Sequence, residues 1–296
     1  MSAHYRKIQT VVEPKSVIEG AGVKLKRSLG GEDLNYLDPF LLFDHFGSLH
    51  AEDYQAGFPM HPHRGIETVT YMLTGEVYHR DTLGNEGRIG AGDVQWMTAG
   101  GGILHEEMPQ VRPEGIEGFQ LWVNLPAKRK MTQPHYQEVV SSTIPEVTVE
   151  GGTKIRVIAG SVEGSNGAVS DLAANPTYLD VSVPSHGSFV HPIPRGHTAF
   201  AYVFEGKGAF VHSTEQDWVM CPRLVVLNDG DAVNVVTEDE AVRFLLVSAM
   251  PLDESIARYG PFVMNTQEEI QEALDDLKRG TFIWKEGKLD RERTIS

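Results

Sequence analysis

His61-Pro62-His63-Arg64-Gly65-Ile66-Glu67 and its closing partner, Gly100-Gly101-Gly102-Ile103-Leu104-His105-Glu106-Glu107, bracket the stretch whose reading decides the fold. Between them, Thr68-Val69-Thr70-Tyr71-Met72-Leu73 and Val94-Gln95-Trp96-Met97-Thr98 are β-branched and aromatic runs, as strands require. Side chains alternate faces along a strand, so His61 and His63 share a face, as do His105 and Glu107. Two such pairs converge inside a β-barrel as three imidazoles and one carboxylate. That donor set suits Fe(II), Mn, Ni, Cu or Zn, and four protein ligands leave open positions only on a six-coordinate metal. Glu67, four residues after His63, falls on the same face by the same rule. It competes with Glu107 for the carboxylate position or orients a ligand from behind. A lone His-x-His is an ordinary surface or core feature, and Pro62 is enough to make one a rigid turn. The conjunction of two donor pairs beside glycine-rich turns is what points to a metal.

The 296 residues suffice for a substantial core, and length alone suggests two domains. A net charge of −15 argues against binding nucleic acid or an anionic membrane through a broad basic surface. The single cysteine, Cys221, excludes an internal disulfide and predicts a reducing compartment. Met1–Lys7 opens no apolar signal segment and no run has transmembrane length, so a soluble, cytoplasmic protein is expected. Thirty glycines and sixteen prolines punctuate short runs of Val, Ile, Phe, Tyr and Thr, the rhythm of an all-β sandwich or barrel. Strands are predicted at Ile8–Val12, Val17–Leu25 and Phe119–Leu125, with Thr74-Gly75 as a tight turn. The apolar run Leu37–Gly47 reads as core strand and turn, with His45 as a core histidine.

The chain also repeats itself. Arg64-Gly65…Tyr71-Met72-Leu73-Thr74-Gly75-Glu76 is answered by Arg195-Gly196…Tyr202-Val203-Phe204-Glu205-Gly206-Lys207 at a constant offset of 131 residues. Gly92-Asp93-Val94 is answered by Gly230-Asp231-Ala232 at an offset of 138. In these registers His61, His63 and Glu67 face Pro192, Pro194 and Thr198, and the closing pair faces Arg243 and Leu245. The second half therefore lacks every proposed ligand, and His191 and His197, off register, read as structural or surface residues. The expected division is 1–133 for the metal-binding half and 134–296 for its metal-free twin, with the basic Lys128-Arg129-Lys130 as a solvated turn. Thr266-Gln267-Glu268-Glu269 is a capping box that opens a helix through about Lys278, with Gly280 after it. Ile270, Ala273, Leu274 and Leu277 give that helix one apolar stripe suited to packing on a barrel. The polar tail Lys285–Ser296 is expected to be peripheral.

Three segments carry a resemblance to the pirin family of the cupin superfamily: Phe43–Gly47, Gly57–Gly65 and Gly92–Met108. Leu121-Trp122-Val123-Asn124-Leu125 continues it, and the layout covers nearly the whole chain. The resemblance implies an all-β bicupin, two stacked cupin-type barrels with a short C-terminal helix. It further implies one Fe(II) in the N-terminal barrel, held by His61, His63, His105 and Glu107, with Mn, Ni, Cu, Co or Zn as alternatives. This favours Glu107 over Glu67. Thr98 replaces a proline of the general cupin pattern, and the carboxylate follows His105 by two residues; pirins share both departures. Pirins imply quercetin 2,3-dioxygenase-type cleavage of a flavonol with O₂, Glu107 accepting the hydroxyl proton. Phe46, Phe58, Met60, Trp96 and Met97 are candidates to stack on the aromatic substrate, or else plain barrel core. The rival expectation is a non-catalytic, redox-sensing iron protein that docks a protein partner to regulate transcription or a metabolic enzyme. Its acidic surface would suit a basic protein better than DNA.

Overall fold

The computed structural model describes residues 4–212 and 215–284; the expectation for Lys285–Ser296 lies outside them. The architecture is all-β, with two cupin domains and one α-helix among the described residues, Gln267–Arg279. The domains exchange their ends. One compact unit takes residues 16–26, 40–140 and those from 253 on; the other takes the N-terminal segment to Lys15, 27–39 and 141–252. These compact units differ from the simple division at 133/134, for physical reasons. The strand Ile8–Val12 pairs with Arg223–Leu227, and the buried Arg6 guanidinium donates to the carbonyls of Pro194, His197 and Asn228. The helix, assigned by sequence to the second half, lays Ile270 and Ala273 against Phe262, Met264 and Phe282 in the first unit. Its predicted caps are present: Thr266 Oγ1 accepts from the Glu269 amide, Glu269 accepts from the Thr266 amide, and Gly280 is left-handed. The single strand expected over Val17–Leu25 is two, Lys15–Glu19 and Val23–Leu29, because left-handed glycines interrupt it.

In the first unit, a sheet runs His135–Val139, Val94–Thr98, Ile66–Thr74, Ile116–Asn124 and Phe40–Ser48 as neighbours. A four-stranded sheet runs Phe58–His63, Ile103–Pro109, Val77–Asp81 and Glu86–Ile89. Gly65 separates the two. Its φ of 82° turns the chain between Phe58–His63 and Ile66–Thr74, and a Cβ there would overlap the carbonyl oxygen of Val263. Lys130, read from sequence as part of a solvated turn, is instead buried and ties the bend down. Its ammonium donates to Gly65 O at 3.0 Å, Val263 O at 2.8 Å and Asn124 Oδ1 at 2.7 Å. Burial lowers its pKa to about 8.

The second unit repeats the connectivity, and its register corrects the sequence repeat. Thr68 pairs with Met97 in the first barrel, and Ala199, its counterpart, pairs with Leu227. Arg223–Leu227 is thus the counterpart of Val94–Thr98. The Gly230-Asp231 turn leads into Ala232–Val236, which pairs with Ser188–Pro192 as Ile103–Pro109 pairs with Phe58–His63. The 138-residue match had joined two different turns. His61 faces His105 where His191 faces Val233, and Phe58 faces Glu107 where Phe189 faces Val235. The second ladder has no register shift at this place, so the inward-facing positions that His61, His63, His105 and Glu107 hold in the first barrel are held here by His191, Ile193, Val233 and Val235, with Pro192 exposed; Arg243 and Leu245 belong to Val242–Ala249. The second core is apolar throughout, with Leu179, Phe189, Ala201, Phe210, Val225 and Phe244 all buried. At roughly 1.5–3 kcal/mol for each such side chain, the packing carries the fold without any metal.

Candidate metal centre

His61 and His63 sit two apart at the end of Phe58–His63, and His105 lies directly across from His61 on Ile103–Pro109. Pro59 and Met60 together oppose Glu106, a bulge in the His61 strand. It leaves the Pro59 carbonyl 3.0 Å from His61 Nδ1, so that nitrogen carries the proton and Nε2 keeps its lone pair. Ring centroids are 4.8 Å apart for His61–His63, 4.4 Å for His61–His105 and 5.1 Å for His63–His105. One ligating nitrogen from each lies within 4.8 Å of the others, the one such group found among the described residues.

Burial dictates their charge. His63 and His105 are almost wholly buried and His61 partly so. Burial first, and mutual repulsion second, holds His63 and His105 well below the usual imidazole range; burial also lowers His61. All three are neutral at pH 7, the state that ligates. Both nitrogens of His105 and Nδ1 of His63 have no hydrogen-bond partner. Such orphaned buried atoms are costly, and a cation satisfies them. The residues fit a transition-metal ion.

Of the sequence candidates, Glu107 is buried near this group but outside it: Thr70 Oγ1 donates to its Oε1 at 3.1 Å. Burial pushes Glu107 up to about 7, with the Thr70 bond opposing. Thr70 Oγ1 also lies 2.9 Å from Gln120 Oε1. Its one proton serves ionised Glu107, or serves Gln120 while protonated Glu107 donates to Thr70.

Glu67 is not brought to the imidazoles. The alternation that put it on their face does not continue across the Gly65 bend. Its carboxylate accepts from Trp96 Nε1 at 3.1 Å and Thr98 Oγ1 at 3.0 Å, on the sheet face opposite Thr70. Trp96 shares that outer face, and Met97 is packed with Leu41, Ile66 and Ile103; neither lines an opening. Phe46 packs with Val23, Tyr54 and Met72. Phe58 stands 6.3 Å from the His61 ring, and Met60 is exposed beside it. His45 is buried as expected, with Nε2 3.2 Å from Glu117 Oε1.

Sequence reasoning missed several neighbours. Trp122 meets His63 edge-on at 5.1 Å and carries the Arg258 guanidinium on its own face at 5.3 Å. His79, fully buried, is the ladder partner of Glu107; its Nε2 lies 2.7 Å from Glu138 Oε1 and its ring stacks on Tyr136. Trp122 and Gln120 had a signal: they alternate with Leu121 and Val123 on a strand already identified. His79 had none, because only the barrel brings it beside Glu107.

Known proteins sharpen this picture. The Pirin family model matches residues 22–123 and the model for the pirin C-terminal cupin domain matches 178–283. A pirin-like protein of Caulobacter vibrioides is 43% identical over 94% of this chain and 99% of its own. Human pirin is 41% identical over 92% of each chain. The crystal structure of quercetin 2,3-dioxygenase from Acinetobacter baumannii aligns with a TM-score of 0.83 at 36% identity, covering 94% of this chain and 98% of that one.

Proposed function

The chain belongs to the pirin family, and from that premise we propose that its first barrel is an iron-dependent dioxygenase that cleaves a flavonol such as quercetin. One observation carries the reading. Three neutral, buried imidazoles converge with uncommitted nitrogens in a chain similar to a quercetin 2,3-dioxygenase. Fe(II), when bound, supplies a Lewis acid with open positions for substrate oxygens and O₂.

The remaining work falls to the chain's own groups. His61, His63 and His105 hold the ion, with Glu107 as the proposed fourth donor. His61 is the least buried of the three, which marks the approach side, and Phe58 and Met60 flank it there. A flat aromatic substrate entering past them meets Trp122 beside His63. Glu107 takes the flavonol hydroxyl proton as the base of the site. Thr70 accommodates the change by redirecting its own proton to Gln120.

The test is O₂ uptake with quercetin by anaerobically Fe(II)-reconstituted protein, with carbon monoxide measured as co-product. The reading predicts metal-dependent consumption, abolished in His105→Ala. Glu107→Gln is expected to lower kcat by about 10²–10⁴, the usual worth of a positioned base. No turnover by fully loaded protein would reject the enzyme and leave a metal-binding module that acts through a partner.

A further inference from the structure

The second barrel carries a cleft of its own. It has a volume of about 830 Å³ and is lined by the His191-Pro192-Ile193-Pro194 stretch, the counterpart of the His61–His63 strand end in the first barrel. That volume lies within the range of small-molecule sites. His191 forms part of its lining; it is 6% exposed, stacks on Phe189 with rings 8° apart, and makes no hydrogen bond within the described residues. His197 also lines the cleft, with a buried Nδ1 that has no partner. His191 turns its imidazole to the cleft without a protein partner among the described residues and His197 adds a buried, unpartnered nitrogen, so a ligand's polar groups can bond both rings.

The lining also selects the ligand's charge. Arg195, the cleft's one guanidinium, is held by Asp231 through two contacts of 2.6 and 3.1 Å. Asp171 is the remaining fixed charge of the lining, so an anion finds no free cation here. Burial lowers His191 to about 4, and burial with Arg6 nearby lowers His197, so both rings are neutral and each offers one donor and one acceptor. Ser161, Asn166, Ser170 and Asn175 add hydroxyls and amides around the rim.

We infer that the second barrel is a metal-free binding site for an uncharged polyhydroxylated compound, a sugar or polyol, whose hydroxyls bond the His191 and His197 imidazoles. A hydroxyl both gives and accepts a proton, which matches a neutral imidazole; a carboxylate or phosphate does not. The inference stands independently of the iron chemistry of the first barrel.

The experiment uses the full-length, metal-loaded protein carrying ¹³C-histidine, titrated with D-glucose and with myo-inositol, and with acetate and methyl phosphate as charged controls. Saturable movement of the His191 and His197 ring signals with a polyol is expected, with a Kd on the order of 1 mM. His191→Gln should weaken binding about fivefold, the worth of one hydrogen bond. Ser170→Trp, which narrows the exposed rim and leaves the core untouched, should abolish it while the remaining spectrum is retained. Movement with the anions and not the polyols would overturn the inference, as would rings that stay still with every probe in a folded protein.

Discussion

On the buried faces of matching strands, the first barrel presents His61, His63 and His105, and the second presents His191, Ile193 and Val233. The turn beside them differs as much as the donors do. Arg64 is buried, donating to Gly101 O at 2.8 Å, Phe282 O at 3.1 Å and Asp276 Oδ2 at 3.0 Å, while its counterpart Arg195 lies exposed against Asp231. Gly65 is roofed by Val263 and tied by Lys130; Gly196, with nearly the same φ, has nothing near its missing Cβ. The lesson is that the barrel with the imidazole cluster keeps more than its candidate ligands. Its ligand strand is held by a C-terminal segment that crosses to it, the preorganisation that a coordination site demands. In the second barrel, where no such imidazole cluster forms among the described residues, the same turn is a plain solvent-facing bend.

This contrast can be broken most directly at the donors. His63→Ala or His105→Ala should weaken metal binding by more than about a hundredfold, since losing an outer partner alone can cost that much. The β fold should persist by circular dichroism, because apolar packing sustains the barrel. Loss of fold on the same substitution would make the ion structural.

The converse is to build the missing site. Pro192→His with Pro194→His should leave metal content at one ion per chain, because both positions are exposed on the face away from the core. Ile193→His with Val233→His, beside the native His191, completes a triad on the buried positions, and the stoichiometry should move toward two. If Arg243 and Leu245 were instead the controlling positions, Arg243→His with Leu245→Glu would do better; the ladder says it will not.

The turns offer a finer comparison. Gly65→Ala forces a Cβ into the Val263 carbonyl at a left-handed φ, so a loss of about 3 kcal/mol or more is expected by chemical denaturation. Gly196→Ala meets only the backbone penalty of a left-handed residue, roughly 1–2 kcal/mol. Equal costs would show that the C-terminal segment does not brace the first turn.

A separate comparison concerns acid. His191 has a folded pKa of about 4, depressed from 6.5 by burial. The unfolded chain therefore binds a proton first, and His191's contribution to stability, complete above pH 6.5, shrinks as pH falls toward 4. The full span is on the order of 3 kcal/mol, and His191→Phe should flatten this part of the stability profile. An unchanged profile would place the imidazole in contact with water throughout.

How much of this was legible beforehand follows from how local each signal is. Period-two alternation brought His61 and His63 to one face because both lie on a single strand, and His105 followed from the paired strand. The same rule failed for Glu67, because Gly65 ends one strand and begins another in a different sheet. Trp96 and Met97 look like pocket residues in a string of letters; the fold buries both, Trp96 against Glu67 on the sheet face opposite Thr70 and Met97 among Leu41, Ile66 and Ile103. The crossing of residues 253 onward to the first unit, and the burial of Lys130 beneath Gly65, depend on contacts between segments more than a hundred residues apart. No local pattern carries them. The capping box was fully readable, yet it could not say which barrel its helix would cover.

The central claim is that one barrel of the pair is the metal centre. Crystals of Fe(II)-loaded protein, measured for anomalous scattering at the iron edge, test it without any assumption about substrate. A single peak within bonding distance of His61, His63 and His105, and none beside His191 and Val233, is the predicted result. A peak in the second barrel, or a loaded protein with its iron elsewhere, would contradict the account.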